Sequence, residues 1–507
     1  MNEEQLKKLD KCYFKYSMEQ RCQEEVIPAR QLLGSSRFDL YAILLYIDHK
    51  VRGVKDLSFA REVYLERTRA ITGLEFSEEG NKQKTRLSDF FIVLDKLIED
   101  FQNERYDENR TLIPVDKNFE LIDGAHRVSC AAYFNKDVKV LHFLDAKVSR
   151  MTSQYLLDKL MPESIADAMA IEALRWHDDL FMIFMWPKSF VDLIKHEQAK
   201  SLIYKRLDVV YEKEVQMTYK AIRNLMIQIY GHMDWVGSID NDFSSTYAKA
   251  DEVWSPEGVC RFLLVRAPST EYVLKVKGEV REIFQMGLAS VHSTDNMRET
   301  SIAVNAIMNR NSYHFLHVAS PTKYKKSYLL IQKFKKKIQE TGLSVDNFII
   351  DSSMILAISG AREANDLDYY TIVETERDIF AQDEDIEEHD DNQKQFYDVS
   401  VDDLIISSKN HFYYDELKFV SMENLLSFKK KRFAKTKDTK DSNDIKILEM
   451  LLSGKEDKWA MRKLAFKVKY KRIKRKYRSR FYAFRSKILK RLGLYDTLKR
   501  LRDRIKK

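Results

Sequence analysis

The sequence predicts a multidomain α/β chain, and three observations carry that prediction: the length, the alternation of strand-like and helix-like apolar spacing, and the scarcity of residues that break helices and strands. At 507 residues the chain exceeds what one hydrophobic core supports, so three or four units are expected. Hydrophobic residues make up 44% of it, enough for each unit to fold, and only 14 Gly and 7 Pro exclude a collagenous or broadly disordered chain. The four cysteines, Cys12, Cys22, Cys130 and Cys260, have neither metal-ligand spacing nor the pairing of a secreted framework, which points to a reducing compartment.

In chain order, residues 1–30 read as a charged helical lead-in. A first globular unit, 31–200, opens with an apolar helix-like stretch at 38–47; 111–115, 119–122 and 138–143 read as strands and 128–134 as a helix. Helical spacing dominates 201–335, most clearly at 219–230 and 301–308, as in a connecting unit. In a further α/β unit, 336–455, a Lys-rich helix at 324–341 leads into a strand at 347–350 and a polar turn. Acidic residues then crowd 374–403 as in a solvated loop, and helices return at 421–432 and 442–452. The longest apolar run, 180–186, is far short of the 18 or so residues a membrane-crossing helix needs, and the N-terminus lacks an apolar signal core, so a cytoplasmic chain is expected.

The net charge of +8 hides a segregation. Residues 456–507 hold 22 Lys and Arg against 4 Asp and Glu, while the rest of the chain holds 64 against 74. Within this basic tail Tyr477, Phe481, Phe484, Ile488, Leu492, Tyr495, Leu498, Leu501 and Ile505 recur at helical spacing, an apolar stripe with cations around it. That pattern suits a helix lying in an anionic membrane interface and predicts peripheral attachment at the inner face of the membrane. The same stripe also suits packing on the acidic body or a partner helix; nucleic acid is disfavoured, since no DNA- or RNA-binding signature accompanies the charge.

The sharpest local signal is Asp123-Gly124-Ala125-His126-Arg127, between a strand-like and a helix-like segment. Gly124 permits a tight turn, the helix start offers unpaired N–H groups and a positive dipole end, and His126 and Arg127 add donors beside them, so the turn is expected to bind phosphate. The segment from Thr111 to Phe134 resembles the ParB/sulfiredoxin-like fold, in which a Gly-x-His-Arg type turn cradles nucleotide phosphates. That resemblance implies nucleotide contacts at Gly124, Ala125, His126 and Arg127, phosphoryl transfer as in sulfiredoxins and a free-serine kinase or CTP binding as in ParB, and an acid, base or metal contact at Asp123. Ala125 stands where sulfiredoxins carry Cys, which argues against sulfinic-acid repair. With Ile113-Pro114-Val115, the motif is also similar to a longer form in proteins encoded beside bacterial capsule and lipopolysaccharide assembly enzymes.

A second constellation follows the strand at 347–350: Asp351-Ser352-Ser353, then Asp366-Leu367-Asp368. Carboxylates two residues apart on a strand share a face, so Asp366 and Asp368 are expected to hold a divalent cation such as Mg²⁺ that bridges nucleotide phosphates, with Ser352 and Ser353 touching phosphate oxygens. This looks like the nucleotidyltransferase fold, whose pattern is a Gly-Ser turn, a helix and Asp-x-Asp; Ser352 stands in place of the Gly, and Asp415 is the candidate third acid. The segments at 418–429 and 440–445 resemble the helical portion of its minimal members. Of the remaining polar clusters, 292–295 is expected to cap a helix through Ser293, Thr294 or Asp295, and 176–179 and 389–391 read as solvated turns.

The function expected from these features is a phosphotransferase that moves a phosphoryl group from ATP or another nucleoside triphosphate to a sugar, polyol or lipid-linked glycan hydroxyl in bacterial surface-polysaccharide assembly. His126 and Arg127 would hold the transferring phosphate, and Asp123 would orient the acceptor. The alternatives are a nucleotidyltransferase whose first domain binds substrate and a ParB-like nucleotide-binding regulator.

Overall fold

Three sheets organise the chain in the computed structural model, which describes residues 1–9, 17–77, 84–107, 109, 111–373 and 379–453. The basic tail expected over 456–507 lies outside the described residues. Residues Met1–Leu452 form one compact unit of mixed α/β structure.

The first sheet contains β1 (Cys22–Pro28), β2 (Ile113–Val115) and β3 (Asp137–Phe143) in the order β1-β3-β2. β2 and β3 run parallel, with Ile113 level with Val140, and the helix Ala125–Tyr133 makes the crossover between them. Thus the Asp123–Arg127 turn opens a helix that leaves the sheet, as its sequence predicts. Beneath it lies the helix Leu40–Val51, whose residues from Leu40 to His49 are all buried because helices Ser58–Thr72, Ala125–Tyr133 and Glu163–Ala173 pack around it. A helix apolar on every side has no solvent face to offer, and its burial anchors the whole first region.

The second sheet, in the order β5-β6-β4-β7, is antiparallel throughout: β4 (Leu180–Met185), β5 (Asp208–Gln216), β6 (Val259–Arg266) and β7 (Val291–Ser293). It corrects the expectation of a helical connecting unit over 201–335. β4 pairs with β6 across the expected boundary at residue 200, so the division there is not a domain boundary. The core strands β4 and β6 are buried on both faces, which removes the period-two alternation that marks a half-exposed strand.

The third sheet follows the order β10-β9-β8-β12-β11, from β8 (Phe348–Asp351), β9 (Leu367–Thr371), β10 (Ile386–Glu388), β11 (His411–Tyr414) and β12 (Leu417–Val420). β8 pairs antiparallel with β9 and parallel with β12. Its core joins Ile349, Ile355, Tyr369, Phe412 and Phe419 to helices Lys325–Thr341, Met422–Thr436 and Thr439–Leu452.

Three local expectations change. Among its described residues the lead-in has the short helix Glu3–Lys7, and its later part is β1, an edge strand whose Gln23, Glu24 and Glu25 hide the strand signal. Residues 119–122 form a turn with Phe119 at φ 60°, joined to β2 by a single Val115–Leu121 bridge. The helix Met297–Met308 is capped by Asn296, which accepts from the Glu299 N–H, and not by any of Ser293, Thr294 or Asp295.

Candidate functional site

The geometry of the first corner follows from Gly124. Its φ of 95° is left-handed, and a Cβ there would come 2.9 Å from Ile113 Cδ1 and 3.1 Å from Arg127 Nη2, so the turn admits no side chain. Among the described residues no side chain caps the helix Ala125–Tyr133, as suits a helix start whose N–H groups receive an anion. Asp123, Ala125 and Arg127 are half-buried, and the Arg127 guanidinium lies 3.8 Å from the Asp123 carboxylate and 3.5 Å from the Leu112 carbonyl.

His126 turns inward, which corrects its expected role as a direct phosphate donor. Its Nε2 lies 2.6 Å from the Tyr64 hydroxyl and its Nδ1 lies 3.4 Å from Lys84 Nζ. An ammonium only donates, so Nδ1 accepts and Nε2 carries the proton that goes to Tyr64, whose hydroxyl in turn donates to the Phe90 carbonyl at 3.4 Å. Burial pushes the His126 pKa well below its ordinary value, and the charges of Lys84, Arg67, Arg127 and Arg37 push it the same way. The imidazole is therefore neutral, a positioning group that ties Lys84 and Tyr64 to the turn.

Those four cations come from four separate segments. Arg37 and Arg67 meet at the fully buried Asp39: Arg37 donates from Nε at 2.7 Å and Nη2 at 3.0 Å, and Arg67 from Nη2 at 2.6 Å. The Nε of Arg67 is buried and has no hydrogen-bond partner among the described residues. Beside Arg67 in the sequence, Arg69 is held by other partners, Glu66 at 2.8 Å and the Leu160 carbonyl at 2.7 Å.

At the second corner the third sheet brings Asp351 level with Asp368 and Asp368 level with Glu387, while Asp366 accepts from the Ser353 hydroxyl at 3.4 Å. The predicted Asp-x-Asp and the serine turn are thus adjacent. Ser352 sits at φ 56°, ψ −124°, a conformation natural to glycine, where the resembled pattern carries Gly. Asp415 does not join them. It lies at the tip of the β11–β12 turn, and because β12 runs parallel to β8 with Phe419 level with Ile350, Asp415 stands about 16 Å of strand from the level of Asp351.

His389, which reads in the sequence as part of a solvated turn, sits here instead. Its Nδ1 lies 3.0 Å from Asp351 Oδ2, and the Tyr397 hydroxyl and the Ser352 N–H reach Oδ1. Burial works to raise the Asp351 pKa, but these hydrogen bonds and the His389 charge hold it below the ordinary carboxylate value, and Asp351 raises His389 in return. Asp368 is shifted the other way: burial, with Asp366, Asp351 and Glu387 nearby, pushes its carboxyl up to about 6 against the opposing charge of His389. Behind the site, buried Lys429 lies 3.1 Å from Asp441 and 3.3 Å from Asp444, and Arg432 and Arg362 complete the network. These are the 418–429 and 440–445 segments, brought together by the packing of two helices.

Among the described residues no group of three or more His, Cys, Asp or Glu is arranged to hold a metal ion. The donor set Asp366 and Asp368 nevertheless fits Mg²⁺, which takes hard oxygen from one or two carboxylates and the rest from substrate phosphates and water. A divalent cation there would add to the His389 charge in offsetting the crowded carboxylates around Asp368. The single Cys130 of the first corner's helix is buried and its thiol is pushed above its ordinary range, so it is no nucleophile.

No family model, no curated protein and no solved structure matches this chain.

Proposed function

We propose that the chain is a nucleotide-dependent phosphotransferase acting on a hydroxyl of a sugar, polyol or lipid-linked glycan, with its polyphosphate held at the Asp123–Arg127 turn. The observation that carries this reading is that Lys84, Arg67, Arg127 and Arg37 gather around the buried His126 in the first turn of a helix whose N-cap residue, Gly124, has no side chain to cap it. A fixed positive corner of this kind binds phosphate and offsets the charge that develops as a phosphoryl group moves. Asp123, half-buried at its edge, is the group suited to take the proton of the acceptor hydroxyl.

Nucleoside triphosphate turnover tests this. Arg127→Ala and Asp123→Asn chains that remain folded by circular dichroism should each lose about 10²-fold or more in phosphoryl transfer. Unchanged turnover in both removes the proposal.

A second reading, nucleotidyl transfer, is supported by the strained Ser352 and by the Asp368 carboxyl, raised by burial and by the charge of Asp366 beside it. Mg²⁺ bound by Asp366 and Asp368 would supply a bridge between nucleotide phosphates and neutralise their charge. Release of pyrophosphate, abolished by Asp366→Asn with Asp368→Asn, separates this reading from the first.

A further inference from the structure

A cavity of ≈ 320 Å³ opens away from both corners, where the helices Tyr219–Tyr230 and Lys325–Thr341 meet the tip of the β11–β12 turn. The tip itself is unusual. Asp415 and Glu416 both adopt left-handed backbone, at φ 51° and 70°, with no glycine to relieve it. It is held by side chains that line the cavity: Lys335 reaches Asp415 at 2.9 Å and Glu416 at 2.6 Å, Gln332 donates to Asp415 at 2.6 Å, and Arg298 donates to Glu416 at 2.5 Å.

Two cations against two carboxylates leave this set neutral, and at the lip Lys336 holds an exposed ammonium 3.6 Å from Glu340, a solvent-screened pair from which an incoming anion can recruit the cation. The floor holds Gln228, 5% exposed, whose Oε1 accepts from the Asp415 N–H while its Nε2 has no acceptor among the described residues. A buried amide donor without a partner beside a cavity calls for an acceptor from outside the fold. Tyr328 and Tyr414 supply ring surface in the same lining.

We infer that this cavity binds a small polyhydroxylated anion of the sugar-phosphate class. Amide and guanidinium donors match sugar hydroxyl oxygens, tyrosine rings match the C–H face of a pyranose, and Lys336 at the lip matches the charged group. The volume lies at the small end of ligand sites, suited to a monosaccharide phosphate and too small for a nucleoside triphosphate. The site is independent of the two corners and of the function proposed for them.

Isothermal titration of the intact chain with glucose 6-phosphate, glucose and inorganic phosphate, without nucleotide, tests the inference. The expected result is saturable binding of glucose 6-phosphate, at least about tenfold tighter than either fragment and weakened about tenfold by Gln228→Met and by Lys336→Glu. Lys336 is exposed, so its substitution leaves the fold intact even if Gln228→Met does not. Arg127→Ala should leave the affinity unchanged. Absence of saturable binding, equal affinity for inorganic phosphate, indifference to Lys336→Glu, or loss of binding in Arg127→Ala would each overturn the inference.

Discussion

Asp39 governs the electrostatics of the first corner, and its removal has a size that follows from its contacts. The carboxylate is fully buried between Arg37 and Arg67. Burial alone would raise its pKa, yet the two guanidiniums bring it down from 3.8 to about 2. A carboxyl whose pKa falls on folding contributes stability that is complete above the unfolded value and disappears as pH drops through the folded one. That contribution is about 2 kcal/mol at neutral pH and roughly half as much at pH 3. Asp39→Asn costs more, because it turns an NH₂ towards two buried cations and leaves them without a counter-charge; breaking a buried pair in this way costs about 3–5 kcal/mol. Urea unfolding followed by circular dichroism should therefore show a loss of about 3–5 kcal/mol at pH 7 that shrinks by about 1 kcal/mol at pH 3. A loss under about 1 kcal/mol at pH 7, or a gap that does not narrow in acid, would refute the claim that Asp39 anchors the cationic corner.

Asp368 has the opposite sign: an acid whose pKa is raised on folding, here to about 6, costs stability above that value and recovers it as pH falls towards the unfolded one. Asp368→Asn should then stabilise the fold by up to about 3 kcal/mol at pH 7, with the gain fading towards pH 4, and on the nucleotidyl-transfer reading it should also abolish metal-dependent transfer; destabilisation at pH 7 contradicts this. Ser352→Gly exchanges backbone strain of about 1–3 kcal/mol for the extra unfolded-state freedom of glycine, about 0.5–1 kcal/mol, and should raise the urea midpoint; a lowered midpoint argues against the strain. Truncation after Leu452 should release the chain from vesicles containing phosphatidylserine, and sedimentation with them unaltered by truncation rules out the tail as the anchor.

Features written in neighbouring residues were legible from the sequence. Gly124 between a strand and a helix predicted a tight turn there, the spacing of apolar residues predicted the helix Tyr219–Tyr230 to the residue, and the Asp-x-Asp pattern picked out carboxylates that lie beside the serine turn, although Asp366 precedes the strand Leu367–Thr371 expected to carry both. Where local pattern and environment diverge, the reading failed. β4 and β6 are covered on both faces and so show no alternation, and β1 is a polar edge strand formed by its pairing to β3.

The sequence by itself determined the local chemistry of this protein: an uncapped helix start with Arg127 beside it, a pair of carboxylates, and a cationic tail segregated from an acidic body. Tertiary structure alone decided which groups meet those motifs. It set Tyr64 against His126 across 62 positions, joined Arg37 and Arg67 through Asp39, and brought His389 to Asp351 across 38 positions. The physical reason is range. Turn geometry and apolar periodicity act over a few residues and leave a local imprint, whereas burial and ion pairing act between whichever segments packing has made neighbours.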